Sequence, residues 1–194
     1  MMDKQLSCID CAAKSCLKGD NAYPDFCVTT HMDPETLREA LDCYSQEEVH
    51  EVTVAAANVE CEHYCQYTRV EEIMDFARKI GAKKLGIATC VGLLSESRTL
   101  AAIFREHGFE VYGVCCKAGA VPKVELGIDE KCNAVGKTAC NPILQAKLLN
   151  EAETDLNVVV GLCVGHDSLF YRYSKALTTT AVSKDRVLGH KAVA

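Results

Sequence analysis

Short apolar runs alternate with helical periodicity through the second half of the chain. The runs cover residues 85–90, 109–115, 156–163 and 178–182, and each has the length of a single strand. Between them, apolar positions recur at helical spacing across residues 93–108 and 169–173, and Asn141 with Pro142 is typical of a helix start. This alternation predicts an α/β fold with a Rossmann-like parallel sheet of about four strands.

The first half of the chain has helical patterns and no strand-like run. Asp33 with Pro34 predicts one helix start, and Thr68 with Glu71 forms a capping-box pattern before a helix that ends at Gly81. Residues 1–30 are rich in cysteine and have no sustained apolar period. We therefore expect a cysteine-rich, helical N-terminal region over residues 1–80, followed by an α/β domain over residues 81–194.

Charge and hydropathy exclude two classes of partner. The formal net charge of −6 argues against nucleic acid, because phosphate binding requires clustered Lys and Arg side chains. The first residues, MMDKQLSCIDC, lack the apolar run of a signal peptide, and no segment has the apolar length of a membrane span. We therefore expect a cytoplasmic protein that binds neither nucleic acid nor a membrane.

The 13 cysteines of the chain require a separate explanation. Thiols are kept reduced in the cytoplasm, and an odd number of cysteines cannot pair completely within one chain. Cys43 falls in a helical pattern and is interpreted as a buried, small apolar residue. Most of the other cysteines predict a metal centre, because thiolates bind both zinc and iron–sulfur clusters.

Five cysteines either end predicted strands or directly precede a predicted helix. Parallel strands bring their carboxyl ends to one edge of the sheet, where open α/β folds bind ligands, so we expect these thiols to converge. The positive end of a helix dipole also favours the thiolate of a cysteine close to a helix start. The members of this strand-edge group are Cys90, Cys115, Cys116, Cys140 and Cys163.

A second group of four cysteines lies near the N-terminus, in the pattern C-x2-C-x4-C-x10-C. The first pair has the spacing at which one turn presents two sulfurs to a metal, so we expect a metal knuckle over residues 8–27. The members of this N-terminal group are Cys8, Cys11, Cys16 and Cys27. The sequence leaves open whether Cys61, Cys65 and Cys132 are ligands.

The number of thiols favours an iron–sulfur cluster, with zinc as the alternative, because the strand-edge group exceeds what one zinc ion needs. Cys115 and Cys116 cannot both reach one compact site without strain, which makes Cys116 a candidate catalytic thiol. His166 follows the last strand-edge cysteine and is a candidate ligand or proton shuttle. The adjacent Asp167 is interpreted as the cap of a helix that begins near Ser168.

Two classes of function fit these features. The first is a redox or sulfur-handling enzyme with a cluster at the strand edge and with an electron-transfer partner or a small thiol as its substrate. The second is a non-catalytic binding protein that zinc stabilises. An open coordination position beside a substrate pocket would favour the enzyme, whereas closed sites would favour the binding protein.

Five segments of the chain resemble the signature segments of the DUF1847 family. They are GIATCVGL at 86–93, VCCK at 114–117, CNPI at 140–143, GLCVGHDSLF at 161–170 and KDRVLGH at 184–190. The resemblance extends over essentially the entire chain from the N-terminal cysteines onward. Members of this prokaryotic family are often described as metal-binding, so the resemblance implies a metal site without implying a reaction.

Overall fold

The structure, a computed structural model, describes residues 6–191 of the 194-residue chain. The chain divides into two compact units, Met1–Val54 and Ala55–Ala194. Residues 1–5 and 192–194, at the two ends of the regions expected from the sequence, lie outside the described residues. The domain boundary expected between residues 80 and 81 stays a prediction.

The N-terminal unit is helical, and the helices in its cysteine-bearing first part are short. A 3-10 turn at Cys8–Asp10 precedes the helices α1 (Ser15–Lys18), α2 (Val28–His31) and α3 (Pro34–Tyr44). Asp33 caps α3 as predicted, since its carboxylate accepts a hydrogen bond from the Glu35 N–H at 2.9 Å. Cys43 is exposed, so its interpretation as a buried residue is wrong. Helical periodicity alone does not determine which face of a helix is covered.

The second unit has a sheet of four parallel strands in the order β2-β1-β3-β4, which confirms the predicted fold class. The strands are β1 (Lys84–Thr89), β2 (Glu110–Cys115), β3 (Leu156–Val160) and β4 (Leu177–Val182). The helices are α4 (Glu47–Glu62), which contains the division between the units, α5 (Arg69–Lys79), α6 (Leu94–Glu106), α7 (Pro142–Glu151) and α8 (His166–Tyr173). None of the helices within residues 6–191 has the length and apolarity to cross a membrane.

Helices cover both faces of the sheet, which explains why the central strands are apolar along nearly their whole length. One face packs against α5 and α6 through a cluster that includes Ile73, Phe104 and Val158. The opposite face packs against α7 and α8 through a cluster that includes Leu149 and Phe170. Each face of the carboxyl edge therefore has its own set of neighbouring side chains.

Two strands end earlier than their apolar patterns indicate, and this positions the cysteines that follow them. β1 ends one residue before Cys90, and β3 ends three residues before Cys163. Gly161 directly after β3 has a φ of +60°, and a Cβ there would lie 2.2 Å from a methyl carbon of Leu93. The backbone thus turns out of the extended conformation at Gly161, and both cysteines lie in loops beyond the carboxyl edge.

Candidate metal centre at the carboxyl edge of the sheet

Backbone hydrogen bonds fix three cysteines at the carboxyl edge. The N–H of Cys90 donates to the last carbonyl of β3 at 3.0 Å, and the N–H of Cys116 donates to the last carbonyl of β1 at 2.8 Å. The Asn141 N–H donates to the carbonyl of Cys116 at 2.8 Å, which holds Cys140 beside the end of β2. Cys90 and Cys116 belong to the cluster of side chains on the α7 face of the sheet, and Cys115 and Cys140 pack against it.

Cys116 and Cys140 form a hydrogen-bonded pair in which the thiol of Cys116 donates to the sulfur of Cys140. This bond lowers the pKa of Cys140 to about 5; partial burial opposes the change, and Lys117 and His166 add to it. The same bond raises the pKa of Cys116, as do its burial and the neighbouring sulfur of Cys90. The pair therefore holds a thiolate beside a thiol at neutral pH, and the thiolate is the form that binds metals.

Backbone N–H groups point at the sulfurs of this edge. The Val91 N–H donates to Sγ of Cys116 at 3.3 Å, and the Lys117 N–H donates to Sγ of Cys115 at 3.5 Å. The ammonium group of Lys117 donates to the carbonyl of Thr138 at 2.6 Å and also acts on the Cys140 sulfur. These donors stabilise negative charge on the sulfurs.

Cys115 is the last residue of β2, and Cys116 follows it in a turn. Cys115 pairs in register with Thr89, and both residues line a cleft beneath α6. Cys115 also packs against the cluster of side chains on the α7 face, to which Cys90 and Cys116 belong. Cys115 therefore borders both the cleft and the rest of the strand-edge group.

Cys163 is paired with a guanidinium group. Its sulfur accepts a hydrogen bond from Nη2 of Arg186 at 2.8 Å. Arg186 belongs to a compact turn in which the Asp185 carboxylate accepts bonds from the N–H groups of Val187 and Leu188 at 2.9 and 2.8 Å. This contact gives the segment 184–190 a direct connection to the strand-edge group.

His166 is the first residue of α8, and its ring lies close enough for its charge to act on Cys140. Its Nδ1 atom is buried and has no hydrogen-bond partner among residues 6–191. Asp167 lies within the first turn of α8, and Gly165 is the N-cap, so the helix begins earlier than expected. The Asp167 carboxylate nevertheless accepts a bond from the N–H of Ser168 at 2.8 Å.

The N-terminal group begins with a tight turn in which the Cys11 N–H donates to the carbonyl of Cys8 at 3.2 Å. Cys8 and Cys16 are exposed, and Cys11 and Cys27 are half-buried. Desolvation acts to raise the pKa of Cys27, but hydrogen bonds from the neighbouring threonines outweigh it and the pKa is lowered. The assignment of these four cysteines, and of the strand-edge group, as metal ligands stays a prediction.

The three cysteines that the sequence left undecided lie in different surroundings. Cys61, near the end of α4, and Cys65 are exposed. Cys132 is half-buried in a 3-10 helix at Glu130–Val135, and its carbonyl accepts a hydrogen bond from the ammonium group of Lys123. None of these contacts involves the strand-edge group.

A cluster that the sequence analysis missed joins the end of α4 to α5. Ligand atoms of Glu62, His63 and Asp75 lie within 4.8 Å of one another. The ammonium group of Lys79 lies 2.6 Å from a carboxylate oxygen of Glu62 and 3.8 Å from one of Asp75. It supplies the positive charge that a metal ion would otherwise provide to these carboxylates. We interpret this cluster as an ion-pair network; no local motif indicated it, because its members come from two helices.

Gln145 of α7 is a second residue that sequence reasoning missed. Its side chain is fully buried, and its amide nitrogen donates to the carbonyls of Val114 at 2.7 Å and Thr89 at 3.1 Å. It therefore joins the ends of β1 and β2 directly below Cys90 and Cys116. Glutamine usually lies at the protein surface, so the sequence gives no indication that Gln145 has this role.

Comparison with known proteins tests the resemblance to the DUF1847 family that five segments of the sequence suggested. The sequence profile of the family described as "Protein of unknown function (DUF1847)" matches residues 27–181. The chain belongs to the DUF1847 family. The DUF1847 match includes all five strand-edge cysteines and, from the N-terminal group, Cys27. The uncharacterised protein MJ0455 of Methanocaldococcus jannaschii is similar as well, with 42% identity over 186 residues, which cover 95% of this chain and 90% of MJ0455.

Proposed function

We propose that this DUF1847 protein binds a metal centre through Cys90, Cys116 and Cys140, and that the centre is an iron–sulfur cluster. One observation carries the proposal: thiols from three separate segments meet around the buried sulfur of Cys116. Their backbones are fixed by hydrogen bonds to the ends of the strands, so the three sulfurs have defined positions. A site of this kind is preorganised for a ligand that joins them.

The charge distribution supports the binding of a metal. The lowered pKa of Cys140 makes it a thiolate at neutral pH, and its proton does not have to be removed when a metal binds. The Lys117 ammonium and the N–H of Val91 offset the negative charge that a thiolate-rich centre brings. Hydrogen bonds to ligand sulfurs are one of the means by which proteins tune such clusters.

His166 supports the proposal because it provides a further ligand atom beside the thiols. A buried polar atom without a partner costs roughly 1–3 kcal/mol, and the Nδ1 atom of His166 has no partner in the described part of the chain. A bond from Nδ1 to a metal would remove this cost. We therefore assign His166 as the fourth ligand of the proposed centre.

The number of thiols favours a cluster over a single zinc ion. Besides Cys90, Cys116 and Cys140, the edge carries Cys115 at the end of β2 and Cys163 in the loop after β3. Four ligands satisfy tetrahedral zinc, whereas a centre with several iron ions can use a larger set of thiolates.

A bound cluster would supply one-electron transfer at the edge of the sheet. Under this proposal the protein works in redox or sulfur-handling chemistry, with an electron-transfer partner or a small thiol as its counterpart. The chain's own residues would bind the cluster, neutralise its charge and limit its contact with water. Cys163 lies in the loop that leads to α8 and His166, and its contact with Arg186 would hold that loop in place.

We propose a second metal site in the N-terminal group, on Cys8, Cys11, Cys16 and Cys27. The Cys8–Cys11 turn supports this proposal, because a turn of this kind can direct two sulfurs to one metal. A metal that joined these cysteines would order a segment that otherwise has only short helices.

Anaerobic purification followed by metal and sulfide analysis tests the strand-edge centre. We expect iron, acid-labile sulfide and a broad visible absorption that decreases on reduction. Cys116→Ser and Cys140→Ser should each lose most of the iron that this centre contributes, because each removes a thiolate ligand. Cys43→Ser is the matched control: Cys43 is exposed on α3, so its substitution should leave the iron content unchanged.

Two results would contradict this proposal. Stoichiometric zinc without iron or sulfide would exclude the cluster and would support a zinc-stabilised binding protein instead. Three cysteines and one histidine form a sufficient ligand set for zinc. Full metal content in both Cys116→Ser and Cys140→Ser would show that the strand-edge centre does not exist. Circular dichroism of each variant verifies that the sheet unit is folded.

A further inference from the structure

A cleft of about 310 Å³ lies between α6 and the β1–β2 edge of the sheet. We call it the α6 cleft. Its volume falls at the lower end of the range of small-molecule sites. It opens on the face of the sheet opposite to the proposed metal centre, and the residues that the argument uses are Ile87, Arg98, Arg105, Val111, Gly113 and Cys115.

The floor of the α6 cleft exists because β2 has a glycine at its centre. Gly113 is in register with Ile87, and a Cβ at Gly113 would meet only the Cβ and carbonyl of Ile87, each at 3.8 Å. The position would thus accept a side chain without a clash. Glycine weakens a strand and often marks a place where a ligand approaches closely, and here it leaves the cleft open.

The wall formed by α6 is positively charged. Arg98 and Arg105 are seven residues apart, so they lie on one face of the helix about 10 Å apart along its axis. Arg105 donates to the carbonyl of Val111 at 3.2 Å, whereas Arg98 has no hydrogen bond or ion pair with any residue that the structure describes. The residues that line the cleft include no carboxylate.

Cys115 lies at the end of the α6 cleft that is closest to the carboxyl edge of the sheet. It is half-buried, lies two residues beyond Gly113 on the same face of β2, and lines the cleft. A small molecule held by Arg98 over Gly113 would therefore lie next to a thiol.

We propose that the α6 cleft binds a small organic acid, whose carboxylate pairs with Arg98 and whose apolar body lies over Gly113 and Ile87, next to the thiol of Cys115. Arginine suits this role, because its planar guanidinium group forms paired hydrogen bonds with a carboxylate. The site is independent of the metal centre, since none of the three proposed cysteine ligands lines the cleft.

Iodoacetate and iodoacetamide test the proposal directly. Both alkylate a thiolate by forming a carbon–sulfur bond and releasing iodide, and they differ in that only iodoacetate is an anion. Their rates at Cys115 and at the exposed Cys61 are measured on the purified protein by peptide mass spectrometry. Because both reagents attack the same thiolate at the same pH, the ratio of their rates does not depend on its protonation.

We expect the iodoacetate-to-iodoacetamide ratio at Cys115 to exceed the ratio at Cys61 by about tenfold or more, as one charge-assisted interaction implies. Butyrate, an unreactive acid, should protect Cys115 and not Cys61. Arg98→Gln should bring the ratio at Cys115 down to that of Cys61, and Arg98→Lys should retain part of the difference. Arg172→Gln, at an exposed arginine of α8, is the matched control and should change nothing.

Gly113→Val tests the position of the ligand. Its side chain would fill the floor of the cleft, so both reagents should react more slowly at Cys115, and unchanged rates at Cys61 together with circular dichroism verify folding. Gly113→Ala provides a smaller change of the same kind if the valine variant does not fold. Equal ratios at Cys115 and Cys61 in the unmodified protein, or a high ratio that Arg98→Gln leaves intact, would overturn the proposal.

Discussion

Gln145 illustrates how a single residue can determine the geometry of a site that it does not itself form. Its amide nitrogen donates to a carbonyl at the end of β1 and to another near the end of β2, on the strands that carry Cys90 and Cys116. The carbonyl oxygen of its side chain is buried without a partner in the described part of the chain. This residue therefore stabilises the edge through its donor, and the burial of its unpartnered acceptor offsets part of that gain.

Gln145→Leu should reduce the free energy of unfolding by about 1–3 kcal/mol, because a buried carbonyl then loses its donor. Chemical denaturation followed by circular dichroism measures the change. Gln66→Leu, at an exposed position, is the control and should have little effect. A Gln145→Leu protein as stable as the unmodified one would contradict the proposed link between the strands.

At the scale of the element, α7 connects helix capping with the metal centre. Asn141 is its N-cap, and its side chain accepts a hydrogen bond from the Leu144 N–H at 3.0 Å. Cys140 directly precedes this cap, so the start of the helix and the position of the thiol are fixed together. The start of α5 is capped in a similar way, by Thr68 with Glu71, and no metal ligand is assigned to that helix.

These two caps form a matched pair of tests. Asn141→Ala and Thr68→Ala should each lower the free energy of unfolding by about 1 kcal/mol, as the loss of an N-cap typically does. Asn141→Ala should also reduce the iron content, because Cys140 is less well fixed, whereas Thr68→Ala should leave the iron content unchanged. Equal iron content in the two variants would show that the cap of α7 does not affect metal binding at the strand edge.

At the scale of the whole molecule, the cysteines divide between the two compact units. The N-terminal group belongs to the unit Met1–Val54, and the strand-edge group belongs to the unit Ala55–Ala194. Two metal sites in separate units would be lost independently, so a variant in one unit can serve as a control for the other.

The double variant Cys8→Ser, Cys11→Ser tests this independence. We expect proteases to cut residues 8–27 faster, because the metal no longer orders them, and we expect only part of the metal to be lost. The cooperative unfolding of the sheet unit should be retained. Unchanged protease resistance and metal content would show that the N-terminal group is not a metal site.

Local features of the sequence determined the elements of this fold. The apolar runs of β1 and β3 and the caps at Asp33, Thr68 and Asn141 depend on neighbours only a few residues away, and the structure confirms each of them. The parallel sheet followed from the alternation of strands and helices, since a crossover helix returns the chain in the same direction. The metal ligands stay a prediction at both groups of cysteines.

Only the tertiary structure decided which side chains meet. Cys115 and Cys116 are adjacent in sequence, yet Cys115 ends β2 and lines the α6 cleft, whereas Cys116 lies in the turn that follows and is buried in the cluster on the α7 face. The contact of Cys163 with Arg186 and the bonds of Gln145 to two strands join residues that lie 23 or more positions apart. Such contacts depend on register and on the packing of distant elements, which no local pattern encodes.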